Sequence, residues 1–277
     1  ISNDLSSFDV VYAQGFTGYY FLERHKKLVS NLHGLEMFQR SFSLREKLGK
    51  LILRDLALGI LKKSSFVISL GGKLTEILFE IGLKRNKIII SPNGISADNI
   101  LPISHQNNSS KNSEKLNLIF IGRDEERKGL HILRKALSVI KYPLHLTLVG
   151  EVGPIESKSH TIENIGLVKS KDELFKLIDK SHALVVPSLS EGMPTVILEA
   201  MARGKAIIAT DVGAVSELVD ASNGKLIPPN DAKKLANAIE NLGDNDIEKA
   251  SEQSLEKVSS FTWDEISNRF LTEMMSY

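Results

Sequence analysis

Apolar runs of four to six residues alternate along this chain with amphipathic segments of ten to fifteen. That alternation constrains the fold more than any other feature. An apolar run bounded by turn residues suits a strand buried on both faces, and the longer segment suits the helix that crosses back over it. The pattern predicts an α/β architecture with parallel sheets. Strands are expected at residues 9–13, 28–32, 66–69, 87–90, 117–121, 144–149, 160–165, 183–186 and 206–209. Over residues 42–63, Leu44, Leu48, Leu51, Ile52 and Leu58 recur at helical spacing, as do Leu174, Phe175 and Ile178 over residues 171–180. Each set should lay an apolar stripe on a sheet. Thr262 with Glu265 three residues later forms a capping box that opens a final helix at residues 263–275.

A length of 277 residues is enough for two domains. The polar stretch 103–115, rich in Asn, Ser and Lys, reads as the linker or an exposed loop between them. The expected division is residues 1–100, residues 101–261, and a last helix at 262–277 that packs back toward the first part. Asn107 and Asn108 each begin an Asn-X-Ser string, of little weight outside a secreted protein. Charge separates the parts: residues 1–100 hold 14 basic and 9 acidic side chains, the rest 21 and 25. Arg45, Lys47, Lys50, Arg54, Lys62 and Lys63 share one helix, which could lie against anionic headgroups, although a solvated face is the plainer account.

The whole chain is nearly neutral, 35 basic against 34 acidic, so no general field favours nucleic acid. The absence of cysteine excludes disulfide frameworks, thiolate metal sites and thiol nucleophiles, and fits a reducing, cytoplasmic setting. No apolar run reaches bilayer-spanning length. The chain opens on Ile1 without a signal-peptide pattern, and the N-terminus is expected to have been trimmed or cut. Asp244-Asn245-Asp246 looks like an aspartate pair that holds a divalent metal, but its place after a helix predicts a solvated turn.

The densest chemical signal is residues 187–208, which read as strand, turn, helix, turn, strand. Pro194 suits the first helical position and Gly204 the left-handed position past the end. The helix should therefore cover residues 194–203, with Val196, Ile197, Ala200 and Met201 buried and Thr195 and Glu199 at the lip. Its amino end, around Met193–Val196, favours an anion at the carboxyl edge of the sheet. Glu191 before the helix and Glu199 within it flank that end, and such a pair can accept hydrogen bonds from the hydroxyls of a sugar or ribose. Two ordinary surface glutamates would fit the same helix geometry.

A second cluster follows the strand at 117–121: Gly122-Arg123-Asp124-Glu125-Glu126-Arg127-Lys128-Gly129. Arg123 at the strand end and Lys128 before the next helix can reach one crevice, and an Arg fork with a Lys point charge is diphosphate chemistry. Read alone, the loop would also pass as a solvated charged turn. It lacks P-loop spacing, which disfavours nucleotide hydrolysis of that type.

Together these motifs, with Ser91-Pro92-Asn93-Gly94-Ile95 and Thr210-Asp211-Val212-Gly213, make the chain resemble the retaining glycosyltransferases of family 4. The resemblance implies GT-B architecture, two facing Rossmann-like parallel-sheet domains. It implies that Arg123 and Lys128 bind the donor diphosphate, with Gly122 in the same loop, that Glu199 holds the ribose, and that Glu191 faces the transferred sugar. It also implies that the backbone of Gly192, Met193, Pro194 and Thr195 touches sugar and phosphate, that the base rests at Gly166-Leu167-Val168, and that Asn93 belongs to the donor site. His33, in His33-Gly34-Leu35-Glu36, matches a strand-end histidine near the donor sugar. The implied donor is a nucleotide-diphosphate sugar, UDP- or GDP-linked, with no catalytic metal or other cofactor required. The implied reaction is front-face attack by an acceptor hydroxyl.

Against the family pattern, the chain starts at a segment like the fourth strand, residues 9–13. The N-terminal domain is therefore expected to be incomplete, with a further segment, a partner or self-association covering its edge. The function expected is sugar transfer to a hydroxyl of a glycan or lipid-linked acceptor in polysaccharide or lipopolysaccharide biosynthesis. Peripheral contact with the inner membrane face through the N-terminal part is included in that expectation. The alternative is a catalytically inactive nucleotide-sugar-binding or assembly subunit. An epimerase or phosphorylase shares the architecture, but no lysine suited to pyridoxal phosphate stands out.

Overall fold

The computed structural model describes residues 8–22, 27–102 and 115–276. Ile1, Asn107, Asn108 and the expected linker, apart from Lys115, lie outside the described residues. The chain forms two sheets in which every pairing is parallel. The first takes its strands in chain order: β1 (Val11–Gln14), β2 (Leu28–Asn31), β3 (Phe66–Ser69) and β4 (Ile88–Ile90). Helices α1 (Gly18–Phe21), α2 (Leu44–Lys63) and α3 (Gly72–Glu80) connect them.

The second sheet holds β5 (Leu116–Ile121), β6 (Leu144–Val149), β7 (Thr161–Gly166), β8 (Ala183–Val186), β9 (Ala206–Thr210) and β10 (Gly224–Ile227) in the order β10-β9-β8-β5-β6-β7. This is the doubly wound order in which the chain starts centrally, winds outward, and returns to wind the other way. Its crossover helices are α4 (Leu130–Leu137), α5 (Lys171–Asp179), α6 (Thr195–Ala202) and α7 (Val215–Leu218). After β10 follow α8 (Ala232–Glu240), α9 (Asp244–Val258) and α10 (Trp263–Met275).

The two faces of the second sheet carry different cores. On one, Leu118, Phe120, Leu146 and Ile208 pack with Leu133 of α4 and Leu235 of α8. On the other, Ile119, Leu184 and Ile207 pack with Ile197 and Met201 of α6, and this core runs without a break into Leu70, Leu74 and Leu78 of the first domain. A smaller cluster joins Val29, Ile68 and Ile89 of the first sheet to Phe270 and Met274 of α10. The last helix thus lies on the first sheet, its start stitched there by the Ile95 N–H to Phe261 carbonyl bond (2.9 Å) and the Trp263 N–H to Ile95 carbonyl bond (3.1 Å). The Thr262 hydroxyl accepts from the Glu265 N–H at 3.3 Å, the capping half of the expected box.

Three expectations change. β10 was not foreseen, because Gly-Lys-Leu-Ile offers only two apolar residues and the strand survives at the sheet edge by pairing β9 alone. Asp244-Asn245-Asp246 is the first turn of α9, where carboxylates complement the helix dipole, and not a turn in solution. The stripe expected on α2 is inverted: Ala57, Ile60 and Leu61 are buried, whereas Leu44, Leu48, Leu51 and Ile52 face outward and Leu58 is half-buried. No helix among the described residues is long and apolar enough to cross a membrane.

Candidate functional site

In the second sheet β5 and β8 are neighbours, and the chain leaves them toward opposite faces, through α4 and α6. Between their carboxyl ends lies a crevice that no crossover fills, where open parallel sheets take ligands. Both sequence clusters land there, one in the loop at 122–129 after β5 and the other in the loop at 187–194 after β8.

The two loops meet backbone to backbone. Gly129 has φ +67°, and a Cβ on it would sit 1.9 Å from the Pro187 carbonyl oxygen. No residue with a side chain fits, which explains the glycine that ends the charged loop. The Leu189 N–H donates to the Arg127 carbonyl at 2.7 Å and fixes the register between the loops. Behind them Gly150, φ +120°, approaches the Gly122 carbonyl as closely.

That register brings Lys128 to Glu191. The Lys128 Nζ lies 2.7 Å from Glu191 Oε1, which also accepts from the Ser188 hydroxyl at 2.7 Å. A guanidinium nitrogen of Arg127 stands 3.6 Å from Oε2. The Glu191 side chain is 6% exposed, so its charge is held by these neighbours instead of water. Arg127 in turn binds Glu125 at 2.7 Å, and Glu125 binds Arg123 at 3.0 Å. Arg123 is mostly exposed and reaches the crevice pair only through this relay. Arg127, which the sequence analysis does not single out, is the arginine that stands beside Glu191. Position within the tight turn at Glu126–Lys128 decides between two arginines four residues apart, and composition cannot.

Helix α6 runs from Thr195 to Ala202. Pro194 is its N-cap, not its first helical residue: ψ is 114°, extended, while its carbonyl accepts from the Ile197 N–H at 3.1 Å. Gly204 has φ +62°, the left-handed turn expected past the helix. Met193 and Pro194 are buried, Thr195 is exposed, and Val196 is half-buried. Leu198 and Ala202 join the buried arc because α6 is sandwiched between the sheet and α9. Glu199 is half-buried and makes no side-chain hydrogen bond among the described residues. Burial pushes its carboxyl above the usual range, with Lys171 at the start of α5 pulling the other way.

The first domain closes the crevice from the opposite side. His33 and Leu35 both have φ +52°, a left-handed conformation uncommon for residues with side chains, and the Asn31 side chain steadies the turn by accepting the His33 N–H at 2.8 Å. His33 itself is exposed. Its neighbour Gly34 sits against Gly192, where an added Cβ would come within 3.3 Å of the Gly192 Cα. Gln39 spans the gap: its amide donates to the Gly34 carbonyl and to the Glu191 carbonyl (2.8 Å), and its side-chain oxygen accepts the Ser190 hydroxyl. Asn93 donates its side-chain amide to the Met193 carbonyl at 3.0 Å, and Gly94 leaves room for the Trp263 ring. Lys73, at the start of α3, binds Asp211 at 2.9 Å, and its N–H donates to the Gly213 carbonyl at 2.9 Å. Gly213 lies under the Glu191 and Gly192 carbonyls, where a Cβ would clash at 2.3 and 2.4 Å. The Asn-Gly and Asp-Val-Gly motifs therefore support the Glu191–Met193 loop from beneath and from the facing domain.

Gly166, φ +77°, ends β7, with Leu167 exposed and Val168 half-buried on the core. No hydrogen bond or ion pair joins Val168, Glu199 or the His33 side chain to the ion-pair chain among the described residues. Ser188, Gln39 and Lys73 were missed by the sequence reading. Each acts on a partner distant in sequence, and only Lys73, one position after Gly71-Gly72, had a local signal in the helix start that a glycine pair announces.

The chain is similar to known proteins in sequence and in fold. The family model described as Glycosyl transferases group 1 matches residues 115–245. A Bacillus subtilis (strain 168) protein assigned to teichuronic acid biosynthesis as a glycosyltransferase, TuaC, is 36% identical over 125 residues, 44% of this chain and 31% of that protein. The Escherichia coli (strain K12) protein WcaL, assigned likewise to colanic acid biosynthesis, is 27% identical over 220 residues, 72% of this chain and 53% of its own length. The chain thus spans between about a third and about a half of these relatives. The crystal structure of Anabaena HepE in complex with UDP superposes with a TM-score of 0.76 at 19% identity, covering 98% of this chain and 79% of that one, a likeness of fold. The two parallel sheets are the GT-B architecture, and residues 115–245 are similar to the group 1 glycosyl transferases.

Proposed function

We propose that this chain moves a sugar from a nucleotide-diphosphate donor, UDP- or GDP-linked, to a hydroxyl of a glycan or lipid-linked acceptor, with retention of configuration, in the manner of glycosyltransferase family 4. The observation that carries the reading is the Lys128–Glu191 pair at the amino end of α6, in the crevice between β5 and β8. Departure of a nucleoside diphosphate concentrates negative charge on the phosphate oxygens while the sugar carbon becomes electron-poor. Cations and oriented N–H dipoles stabilise the first, and a carboxylate stabilises the second. Lys128 and Arg127 supply cations within reach of one carboxylate, with Arg123 linked through Glu125. The amino end of α6 supplies dipoles, and Glu191 supplies the negative charge on the sugar side.

In this reading Glu199, half-buried and without a hydrogen-bond donor among the described residues, receives the ribose hydroxyls, and Val168 lies under the base. His33, Gly34 and Asn93 bring the first domain over the sugar. No protein nucleophile is needed: the acceptor hydroxyl attacks from the face the phosphate leaves, and a phosphate oxygen takes its proton. A cytoplasmic setting belongs to the same proposal, as does an acceptor among cell-surface polysaccharides, the class in which TuaC and WcaL are placed.

Calorimetry with UDP, GDP and ADP, paired with a product assay on labelled nucleotide sugar, tests it. One nucleotide should bind, and Lys128→Ala should lower kcat/KM by about a hundredfold or more while thermal melting remains cooperative. Full turnover in that variant would overturn the diphosphate assignment. Nucleotide binding without transfer to any polysaccharide or lipid-linked hydroxyl would favour a binding subunit.

A further inference from the structure

Helix α2 has two apolar faces. At about 100° per residue, its buried residues Ala57, Ile60 and Leu61 fall in one arc, and Leu44, Leu48, Leu51 and Ile52 fall diametrically opposite. Those four are 82%, 64%, 53% and 77% exposed. On the same projection the exposed Arg45 and Lys63 border the outer stripe on one side, Lys47 and Arg54 on the other, and Lys62 continues its line at the carboxyl end. Arg54 also stacks over Phe38, 5.4 Å from the ring centroid. Of the two acidic residues, Glu46 pairs with Lys50 at 2.6 Å and Asp55 lies inside the stripe. The helix thus holds six basic side chains against two acidic.

Scattered exposed leucines need no explanation, but a continuous stripe with cations along both borders is a surface built for a partner. An apolar groove on another protein would account for the leucines and leave the cations on both flanks without a reason. An anionic bilayer accounts for both. The apolar side chains enter the headgroup and acyl boundary, and the long basic side chains spread sideways to the phosphates.

We propose that the outer face of α2 is a membrane-surface helix that seats this protein on bilayers containing anionic phospholipid. The inference rests on the helix and not on the transferase reading. It also has a consequence for position, since α2 begins five residues after Gln39, the side chain that spans the crevice.

Sedimentation of the full chain with extruded vesicles tests it, using phosphatidylcholine alone and an equal mixture with phosphatidylglycerol. The chain should pellet with the mixed vesicles, about tenfold or more weaker with phosphatidylcholine alone, and should be released by high salt. The double substitution Leu48→Ser and Ile52→Ser should weaken binding to the mixed vesicles at least about tenfold. Arg45→Gln with Lys47→Gln should weaken it and flatten the salt dependence. Both variants alter exposed positions, and circular dichroism and melting should match the parent. The proposal fails if the parent stays in the supernatant with both lipids, or if the Leu48→Ser, Ile52→Ser variant pellets as the parent does. It fails equally if light scattering finds the parent to be a dimer that this variant converts to monomer, since the stripe would then be a self-association face.

Discussion

The ligand edges of the two sheets are finished differently. In the six-stranded sheet the loops after β5, β6, β8 and β9 interlock through backbone, with Gly129 on Pro187, Gly150 on Gly122 and Gly213 under Glu191. In the four-stranded sheet the corresponding edge sends out side chains: Gln39 to Ser190 and Glu191, Asn93 to Met193, Lys73 to Asp211. The outer surfaces differ too, since α6 is buried nearly all round while most of the large side chains of α2 face out. One domain is a rigid cradle whose geometry leaves no room for substitution. The other is a cover that reaches the loop at 187–194 through side chains while sharing an apolar core with the cradle.

That contrast can be broken first at Gly129. Gly129→Ala places a methyl group into the Pro187 carbonyl at a positive φ, and should cost about 2–4 kcal/mol. Because the core of the second sheet continues into Leu70, Leu74 and Leu78, denaturant melts followed by fluorescence and circular dichroism should shift together. Two separated transitions would show that the domains unfold independently.

A smaller effect is expected at the cover. Gln39→Leu removes three hydrogen bonds, two of them across the crevice, and should lower kcat/KM about tenfold, with nucleotide affinity in calorimetry changed less than about threefold. Equal loss in both would mean that Gln39 shapes the cradle itself.

The smallest effect sharpens the account of the cradle's interior. Lys205 is buried behind α6, its amine 2.9 Å from the Asp179 carbonyl. Burial holds its pKa down to about 8, with Asp179 opposing and the nearby Arg203 adding to the depression. The folded chain gives up this proton before the unfolded chain does, so Lys205 adds stability as pH rises from about 8 toward the ordinary 10.5. Lys205→Met should remove that rise and lift the melting temperature at pH 7 by about 2–4 °C, read from melts between pH 7 and 10.

The architecture was legible because short strands alternate with helices along the chain, and nine of the ten strands among the described residues fall where the sequence pattern places them, the half-exposed edge strand β7 included. The tenth, β10, is an edge strand that needs only one neighbour. The outer stripe of α2 misled for an instructive reason. Helical periodicity marks a face as apolar without saying what that face meets, and on α2 the sheet is met by Ala57, Ile60 and Leu61. At the candidate site Lys128, Glu191 and the glycines around them stand out in sequence, since loop chemistry is concentrated within a few residues. Arg127 and Gln39 do not, because their importance lies in which carboxylate or carbonyl the fold brings opposite them.

The stitching of Ile95 to Phe261 and Trp263 has a mechanical corollary. The polypeptide leaves the first domain just beyond Ile95, where the Leu101 N–H holds the Ala202 carbonyl at 2.9 Å, and comes home at Thr262 beside that same point. Outgoing and returning segments lie side by side there, so both covalent passages between the halves cross at one seam held by backbone hydrogen bonds.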